Sequence, residues 1–206
     1  MFTGIITSQG KFKGYRQQKS ILVIEVTREI TELPLGESLA VDGVCLSLVK
    51  KEKNLAYFNL SRETHEKTTL GKLAPGWLLN LERPLQLDSF LSGHLVTGHV
   101  DATGQVERII SRGGGKRIRI KYPPSLQPFF IPQGSVAVNG VSLTVAELKK
   151  NYFECELIPI TLKKTNLGHL RPGHLVNLEC DIIGKYMYNL LSNLGIISPQ
   201  KRFNHD

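Results

Sequence analysis

The sequence has few cysteines and no paired-cysteine motif. Its 206 residues hold three cysteines, Cys45, Cys155 and Cys180, and no C-x-x-C pair. An odd number of widely spaced cysteines argues against a disulfide framework and against a zinc ribbon. We therefore expect reduced thiols and no structural metal site.

Long hydrophobic runs are also missing. No apolar stretch reaches the roughly 18 residues that a membrane-spanning helix needs, and the first residues lack the pattern of a signal peptide. We expect a cytoplasmic protein with no membrane partner.

Clusters of basic and aromatic residues are absent too, although the net charge is +8. Lysine and arginine are spread along the chain, whereas a nucleic-acid-binding surface concentrates them on one face. The chain also lacks a glycine-rich phosphate-binding loop. We therefore expect no nucleic-acid partner and no bound nucleotide.

Two short stretches of similar sequence contain the strongest pattern in the chain. Residues 41–48 read V-D-G-V-C-L-S-L, and residues 138–145 read V-N-G-V-S-L-T-V. Side chains in a β-strand alternate between two faces. The alternate hydrophobic residues should therefore face a core, while the small polar residues face away from it. The glycine in each stretch permits a bulge or a close approach of another backbone.

The similarity extends over most of the chain. Residues 2–12 align with residues 96–106 at an offset of 94, and the L-G-x-L-x-P-G runs from Leu70 and Leu167 align at an offset of 97. Matches in the same order over about 80 residues indicate a duplicated module. We divide the chain into residues 1–93, residues 94–181 and a C-terminal segment at residues 182–206.

Each module is predicted to consist mainly of β-strands. Short runs rich in Val, Ile, Leu and Phe alternate with Pro and Gly turn signals, which suggests about six strands per module and a small closed barrel. The predicted strands are residues 21–27, 38–50, 55–61 and 78–81 in the first module and residues 117–121, 135–148, 152–158 and 175–180 in the second.

Helical structure is predicted at three places. Residues 64–70 and 161–167 are each expected to hold a helical turn, and the apolar spacing of residues 183–194 predicts an α-helix capped by Gly195. A helix of about twelve residues is marginal alone in water. It therefore needs a partner surface, either its own barrel or a neighbouring subunit. Beyond Ser198 the tail is expected to be unstructured.

Five motifs together resemble the α chain of the riboflavin synthase family over about residues 1–195. They are M-F-T-G-I at the start, G-V-C-L and G-V-S-L-T-V, G-H-L-V-T-G-H-V-D from Gly93, and the paired L-G-x-L-x-P-G runs. The resemblance implies a mainly β fold of two tandem six-stranded antiparallel β-barrels of the lumazine-binding, Greek-key type, related by pseudo-two-fold symmetry, plus a C-terminal α-helix. It also implies a homotrimer built around those helices, active sites between neighbouring subunits, and association with lumazine synthase.

The family's reaction is a dismutation of 6,7-dimethyl-8-ribityllumazine. One molecule donates a four-carbon unit to another, which yields riboflavin and 5-amino-6-ribitylaminopyrimidinedione in the last step of riboflavin biosynthesis. The resemblance implies that no metal or organic cofactor takes part. A duplicated module suits a reaction that consumes two identical substrates.

The resemblance also implies matching sets of substrate-binding residues. The first site is expected to contain Gly4, Ile5, Ile6, Ser38, Cys45, Leu46, Ser47, Asn59, Leu60, Ser61, Arg62, Glu63 and Thr64. The second site is expected to contain Gly98, His99, Val100, Gln133, Ser142, Leu143, Thr144, Ile158, Pro159, Ile160 and Thr161. Hydroxyl, amide and backbone groups suit a neutral ring with a ribityl chain, since an unpaired buried polar group costs on the order of 1 to 3 kcal/mol.

Four residues are candidates for the chemistry. His99 is the candidate acid or base, because histidine ordinarily titrates near neutral pH, and Cys45 is the candidate nucleophile or nucleophile-positioning group. Ser142 takes the place of Cys45 in the second module, so we expect one module to bind the donor and the other the acceptor. Asp181 matches a family carboxylate and is expected to support a proton relay. His94 precedes His99 by five residues and so falls on the opposite strand face, which favours a structural role.

Three positions depart from the family pattern. Gln133 stands where lysine is common, Asn139 where aspartate is common, and Ser47 where threonine is common. We interpret the first two as the balanced loss of one cation and one anion.

Two other functions stay open at this point. One is a non-catalytic lumazine or flavin carrier of the same fold, although the run from Gly93 and Cys45 favour the enzyme because such carriers have lost them. The other is a metal site formed by His94, His99 and Asp101, although the histidine spacing fits neither a helical pair nor the usual zinc-finger pattern.

Overall fold

The structure, a computed structural model, describes residues 1–197. The tail predicted to be unstructured beyond Ser198 lies outside these residues. The first module consists of six strands and two short helices. The strands are β1 (Ser8–Arg16), β2 (Ile21–Glu25), β3 (Ser38–Val41), β4 (Val44–Glu52), β5 (Leu55–Asn59) and β6 (Leu78–Glu82), and the helices are α1 (Arg28–Thr31) and α2 (Arg62–Lys67).

The second module repeats this order. Its strands are β7 (Ala102–Arg112), β8 (Gly115–Lys121), β9 (Ser135–Val138), β10 (Val141–Thr144), β11 (Glu147–Leu148), β12 (Tyr152–Leu157) and β13 (Leu175–Cys180), and its helix is α3 (Pro159–Lys164). Single 3₁₀ turns follow α2 at Thr69–Gly71 and α3 at Asn166–His169, and a longer 3₁₀ helix lies at Pro124–Phe129. The C-terminal helix α4 spans Ile182–Asn193.

The first module is a closed antiparallel barrel in the order β1-β2-β5-β4-β3-β6. The meander β3-β4-β5 with β6 returning alongside β3 is a Greek key. In the second module the order is β10-β9-β13-β7-β8-β12-β11. Strands β10 and β11 correspond to the two halves of β4, whose pairing with β5 shifts register between Leu48 and Lys50. The predicted mainly β fold of two related antiparallel modules and a C-terminal helix is confirmed. The second module differs from the predicted six-stranded barrel, because its sheet has seven strands and begins and ends with the two pieces that correspond to β4.

The paired stretches form strands with the predicted faces. Val44, Leu46 and Leu48 are buried, whereas Cys45 is half-buried and Ser47 is exposed. The second stretch has the same alternation. Period-two alternation was therefore sufficient to orient the small polar residues.

Each predicted strand around these stretches is divided by a turn. Residues 38–50 form β3 and β4 instead of one strand, because Asp42 and Gly43 have φ angles of 45° and 77° and reverse the chain. Asn139 and Gly140, with φ angles of 46° and 76°, separate β9 from β10 in the same way. Asn, Asp and Gly are the residues that tolerate this left-handed conformation.

The two turns meet where the modules touch. A Cβ atom added to Gly43 would lie 2.7 Å from the backbone nitrogen of Gly140, and one added to Gly140 would lie 2.7 Å from that of Gly43. Only glycine permits this approach. Each barrel has its own hydrophobic core, and a small cluster of Phe2, Ala40, Val96 and Ala137 joins them.

Buried amides surround the contact between the turns. The Asn80 side chain donates to the Asn139 carbonyl at 2.9 Å, and the Asn177 side chain donates to the Asp42 carbonyl at 2.8 Å. The Asp42 carboxyl accepts hydrogen bonds from the Asn80 backbone and the Asn166 side chain. Burial raises the pKa of Asp42 to about 8, although these hydrogen bonds oppose the shift.

None of the helices within residues 1–197 combines the length and the apolar character needed to cross a membrane.

Candidate active site

The segment before each barrel contacts the other barrel. The Cys45 N–H donates to the Gly98 carbonyl at 2.9 Å, and the Ser142 N–H donates to the Gly4 carbonyl at 2.9 Å. Ile6 lies in the core of the second module, and Val100 packs against the core of the first. The expectation that Gly4, Ile5 and Ile6 line the first site, and that Gly98, His99 and Val100 line the second, is therefore wrong. The two segments are exchanged.

The two glycines of these segments permit the exchange. Gly98 and Gly4 have φ angles of 84° and 78°. A Cβ atom on Gly98 would lie 2.5 Å from the Cβ of Cys45, and one on Gly4 would lie 2.6 Å from the Cβ of Ser142. Each site therefore needs glycine for both its backbone angle and its packing.

Two buried glutamates hold the exchanged segments. One oxygen of Glu179 accepts hydrogen bonds from the Thr97 backbone at 2.7 Å and hydroxyl at 2.6 Å, and the other accepts from the Gly98 backbone at 3.0 Å. Glu82 binds Thr3 and Gly4 in the same way, at 2.6, 2.7 and 3.0 Å. Burial raises the pKa of both carboxyls above the ordinary value, and the hydrogen bonds oppose the shift.

The first site is a cavity of about 260 Å³ between α2 and the segment at residues 98–100. Its lining consists of Val44, Cys45, Glu63, Thr64, Lys67, Thr68, Gly98, His99 and Val100. The half-buried Cys45 and the exposed His99 thus border one cavity. Ser61 caps α2 by accepting a hydrogen bond from the Thr64 backbone at 3.0 Å, which fixes the wall opposite the exchanged segment.

The second site contains a histidine bonded to a serine. His94 Nδ1 and Ser142 Oγ are 2.7 Å apart, and His94 is 8% exposed. His94 Nε2 has no hydrogen-bond partner among residues 1–197. Burial lowers the pKa of His94 below the ordinary value, and the nearby Asp181 carboxylate opposes the shift. The imidazole is therefore neutral at neutral pH and able to accept a proton.

The two sites differ in the residues at corresponding positions. Where the first site has Glu63 and His99, the repeat places Ile160 and Ile5 in the second. Ile160 is 55% exposed and Ile5 is 46% exposed. Ile5 also lines a cavity of about 540 Å³ beside the linker between the modules. The first site is therefore polar and charged, whereas the second has an apolar wall next to the His94 and Ser142 pair.

Asp181 lies near His94 but also begins the C-terminal helix. Its carboxylate accepts a hydrogen bond from the Ile183 backbone at 3.0 Å and so caps α4. The neighbouring Asp101 binds Lys185 of the same helix at 2.7 Å. The residue that follows β13, Asp181, thus contacts α4 and lies near His94 of the second site.

The remaining predicted site residues fall into three groups. The side chains of Leu46, Leu60 and Leu143 lie in the hydrophobic cores, so only their backbones are available to a ligand. Arg62 forms an exposed ion pair with Glu66 on the outer side of α2. The others are exposed or half-buried, and they are Ser38, Ser47, Asn59, Gln133, Thr144, Ile158, Pro159 and Thr161.

Gln133 lies in a turn two residues before β9, with a φ angle of 64°, and Asn139 directly follows the strand. The interpretation of these two departures as a balanced loss of charge stays a prediction. Asn139 takes part in the buried amide cluster between the modules.

The residues of the alternative metal site do not converge. His94 binds Ser142, His99 borders the first site, and Asp101 accepts from the Cys180 backbone and pairs with Lys185. Within residues 1–197 no group of three or more His, Cys, Asp or Glu side chains is arranged to hold a metal ion.

Sequence reasoning did not place His94 beside Ser142 and did not identify the two glutamates. The parity argument for His94 assumed a strand through residues 94–99, but this segment belongs to no strand and its chain turns at Gly98. For the glutamates a signal was present, since both modules contain N-L-E at the end of the last strand.

Comparisons with known proteins agree with this architecture. The lumazine binding domain family matches residues 3–84 and again residues 97–181. The riboflavin synthase of Actinobacillus pleuropneumoniae is 36% identical over 208 residues, covering 100% of this chain and 97% of that protein. The riboflavin synthase of Bacillus subtilis is 36% identical and covers 93% of this chain and 90% of that protein.

Solved structures of LumP are also similar. LumP complexed with 6,7-dimethyl-8-(1'-D-ribityl) lumazine is 25% identical with a TM-score of 0.77, covering 87% of this chain and 98% of that one. LumP complexed with riboflavin is 25% identical with a TM-score of 0.81, covering 87% and 99%. Since identity to the synthases is higher and extends over more of the chain, this protein belongs to the riboflavin synthase family, built from two lumazine binding domains.

Proposed function

We propose that the protein converts two molecules of 6,7-dimethyl-8-ribityllumazine into riboflavin and 5-amino-6-ribitylaminopyrimidinedione. The observation that carries this proposal is the presence of two equivalent but chemically unequal sites in one chain. Cys45 and His99 border one site, while Ser142 and His94 form the other. A dismutation consumes two identical molecules, one as donor and one as acceptor. Two binding sites of similar shape with different reactive groups suit such a reaction.

The second site supplies a base. Dismutation requires removal of a proton from an activated methyl group of the lumazine. A neutral His94 accepts the Ser142 hydroxyl proton through Nδ1, so the Ser142 oxygen takes a proton from the substrate. The exposed Ile5 and Ile160 would pack against the flat ring.

The first site supplies a nucleophile. Cys45 borders the cavity directly, and its backbone is fixed against Gly98. Either the Cys45 thiol or a water positioned by it adds to the ring of the second lumazine. His99 accepts the proton that the thiol or water loses and returns it when the nucleophile leaves. Hydroxyls of Ser61 and Thr64 at the start of α2 suit the ribityl chain.

We also propose a homotrimer built on α4. The exposed side chains of Ile183, Met187, Leu190 and Leu194 form one apolar stripe along this helix, with exposed fractions of 51–64%. The opposite side packs on its own module, where the Phe129 and Tyr188 rings are 5.2 Å apart. A cavity of about 260 Å³ is small for a drug-sized ligand, which ordinarily occupies about 300 to 1,000 Å³. A neighbouring subunit would complete it.

We also propose that the domains are residues 1–93 and residues 94–181, and that residues 182–206 hold the C-terminal helix and the tail. The resemblance also implies association with lumazine synthase, which co-purification of the two proteins would test.

Incubation of the protein with 6,7-dimethyl-8-ribityllumazine alone tests the reaction. Riboflavin and the pyrimidinedione should form in equal amounts, with two lumazines consumed per riboflavin. Tight binding with a spectral change and no product would instead favour a carrier like LumP.

A further inference from the structure

The exchanged segments lie outside the regular strands of both modules. Residues 2–6 and 96–100 belong to no named strand and form one isolated bridge, between Phe2 and Val96. Beyond that bridge the segments diverge, one toward Ser142 and the other toward Cys45. The contacts at this divergence therefore decide where each segment lies.

We propose that Glu82 and Glu179 are positioning residues, each of which sets the geometry of one substrate site by holding the exchanged segment. Glu179 holds the segment of the first site, beside Cys45. Glu82 holds the segment of the second site, beside Ser142. The expected effect of these glutamates on catalysis rests on the proposed function. Their role in holding the two segments does not.

The first argument is the match between the carboxylate and its donors. Each glutamate is 2–3% exposed and receives three hydrogen bonds, two from a threonine and one from the next glycine. Both oxygens of a carboxylate accept hydrogen bonds. A glutamine has an NH₂ group in place of one oxygen, and this NH₂ group would face a threonine or glycine group that also donates.

The second argument is a continuous path to the site residues. The Thr97 hydroxyl donates to Glu179 and accepts from the His99 backbone at 3.3 Å. The Thr3 hydroxyl donates to Glu82 and accepts from the Ile5 backbone at 3.2 Å. Each glutamate thus fixes, through one threonine, the residue that faces the substrate.

The third argument is the position of Glu179 in the strand. It precedes Asp181 by two residues at the end of β13. Asp181 lies by the second site, while Glu179 holds the segment of the first site. One strand end therefore supports both sites.

Alkylation of Cys45 by iodoacetamide reports on the first site alone. Cys155 and Cys180 are 0% and 1% exposed in the second core, and burial raises the pKa of both thiols. Cys45 is half-buried, and Gly98 packs directly against it. Loosening of the Gly98 segment should therefore expose its sulfur.

The experiment compares Glu179→Gln with Glu82→Gln in the full-length protein. Glu179→Gln should raise the rate of Cys45 alkylation by about tenfold, the factor expected for losing one hydrogen bond to a charged group. Glu82→Gln should leave that rate within about twofold, because it loosens the other segment. Mass spectrometry of the Cys45 peptide assigns the modified thiol, and both variants should form riboflavin more slowly.

A milder pair covers the case in which a glutamine variant does not fold. Thr97→Val and Thr3→Val remove only the hydroxyl donor and keep both backbone donors. Thr97→Val should raise Cys45 alkylation, and Thr3→Val should not.

An equal rise in both members of a pair would show general loosening and overturn the proposal, as would unchanged alkylation in all four variants. Alkylation does not depend on turnover. A wild-type protein that makes no riboflavin but shows the one-sided alkylation pattern would therefore reject the proposed function and leave the positioning role in place.

Discussion

Cys45 and Ser142 occupy equivalent places in the two modules, and their side chains differ only in having sulfur or oxygen at the γ position. Both stand on the second residue of a strand that follows a turn at the module contact, and both donate a backbone hydrogen bond to a glycine of the other segment. Within residues 1–197, a histidine lies within hydrogen-bond distance of Ser142 but not of Cys45. The chemical difference between the sites therefore rests on a few side chains around a shared backbone.

The first prediction concerns Cys45→Ser. The hydroxyl keeps the size and polarity of the side chain but is a far weaker nucleophile. Turnover should fall on the order of a hundredfold, while lumazine affinity changes by less than about threefold. Steady-state kinetics and equilibrium titration would measure the two quantities. Equal losses of turnover and affinity would contradict a catalytic role for Cys45.

The second prediction concerns His94→Gln. Glutamine can still hydrogen-bond to Ser142 but cannot accept a proton, so turnover should fall by about a hundredfold or more. The midpoint of urea unfolding should change little. His169→Gln, at an exposed histidine outside both sites, is the matched control. Comparable activity in the two variants would show that His94 has only a structural role.

At the residue scale, the sequence was sufficient where a strand's period decided the outcome. The outward direction of Cys45 and Ser142 followed from alternation alone. The position of His94 did not follow from parity, because parity applies only within a strand and the chain at residues 94–99 turns instead.

At the scale of elements, the exchange of the two segments is the feature that organises both sites. A repeat alignment cannot reveal it, because exchanged and unexchanged segments have the same sequence and equivalent surroundings. Most strands, the short helices after β5 and β12, and α4 were predicted within a few residues, since each has its own periodic pattern. No strand was predicted at β1 or β7, the first strand of each module. The turns at Asp42 and Asn139 were missed because the flanking residues continue a strand-like composition.

The third prediction concerns Gly98→Ala. The added methyl group meets a φ angle of 84° and would lie 2.5 Å from the Cβ of Cys45. Gly36→Ala is the matched control, because it has a φ angle of 86° and no atom within 4 Å of the added carbon. The control should lose about 1 to 2 kcal/mol of unfolding free energy. Gly98→Ala should lose at least about 2 kcal/mol more.

Urea unfolding of both alanine variants measures the difference. Equal losses would mean that Gly98 is needed for its backbone angle and not for the close packing of the exchanged segment on Cys45.

The fourth prediction concerns removal of α4. A chain ending at residue 181 lacks the apolar stripe of the helix, and we expect a monomer with little activity. A chain ending at residue 197 keeps the helix and should remain a trimer with normal turnover. Size-exclusion chromatography with light scattering measures the assembly. A fully active trimer without the helix would contradict its proposed role.

At the scale of the whole molecule, the contact between the modules buries a carboxyl group on one side and an amide on the other. Asp42 and Asn139 occupy equivalent turns, and the amides of Asn80, Asn166 and Asn177 surround them. A second carboxyl at position 139 would add another buried acidic group beside Asp42. Asparagine there keeps the hydrogen bonds without that cost.

The fifth prediction concerns the pH dependence of stability. Because the pKa of Asp42 is raised from 3.8 to about 8, the folded state holds a proton that the unfolded state has released over this range. Its contribution to stability is therefore present at low pH and is lost as the pH rises from about 4 to 8. The loss amounts to at most about 1.4 kcal/mol per pH unit.

Asp42→Asn removes this titration and keeps an oxygen acceptor for both hydrogen bonds. The variant should match the wild type near pH 4 and gain stability relative to it at pH 6 and pH 8, as measured by urea unfolding. A difference between the two proteins that does not vary with pH would contradict the assignment.

The proposed function is that the paired sites catalyse a reaction between two identical molecules. Its most direct test is to supply purified protein with 6,7-dimethyl-8-ribityllumazine alone and to follow substrate and products by chromatography over time. We expect equal amounts of riboflavin and pyrimidinedione, with two lumazines consumed for each riboflavin and no added cofactor. Saturable binding of the lumazine without formation of either product would contradict it.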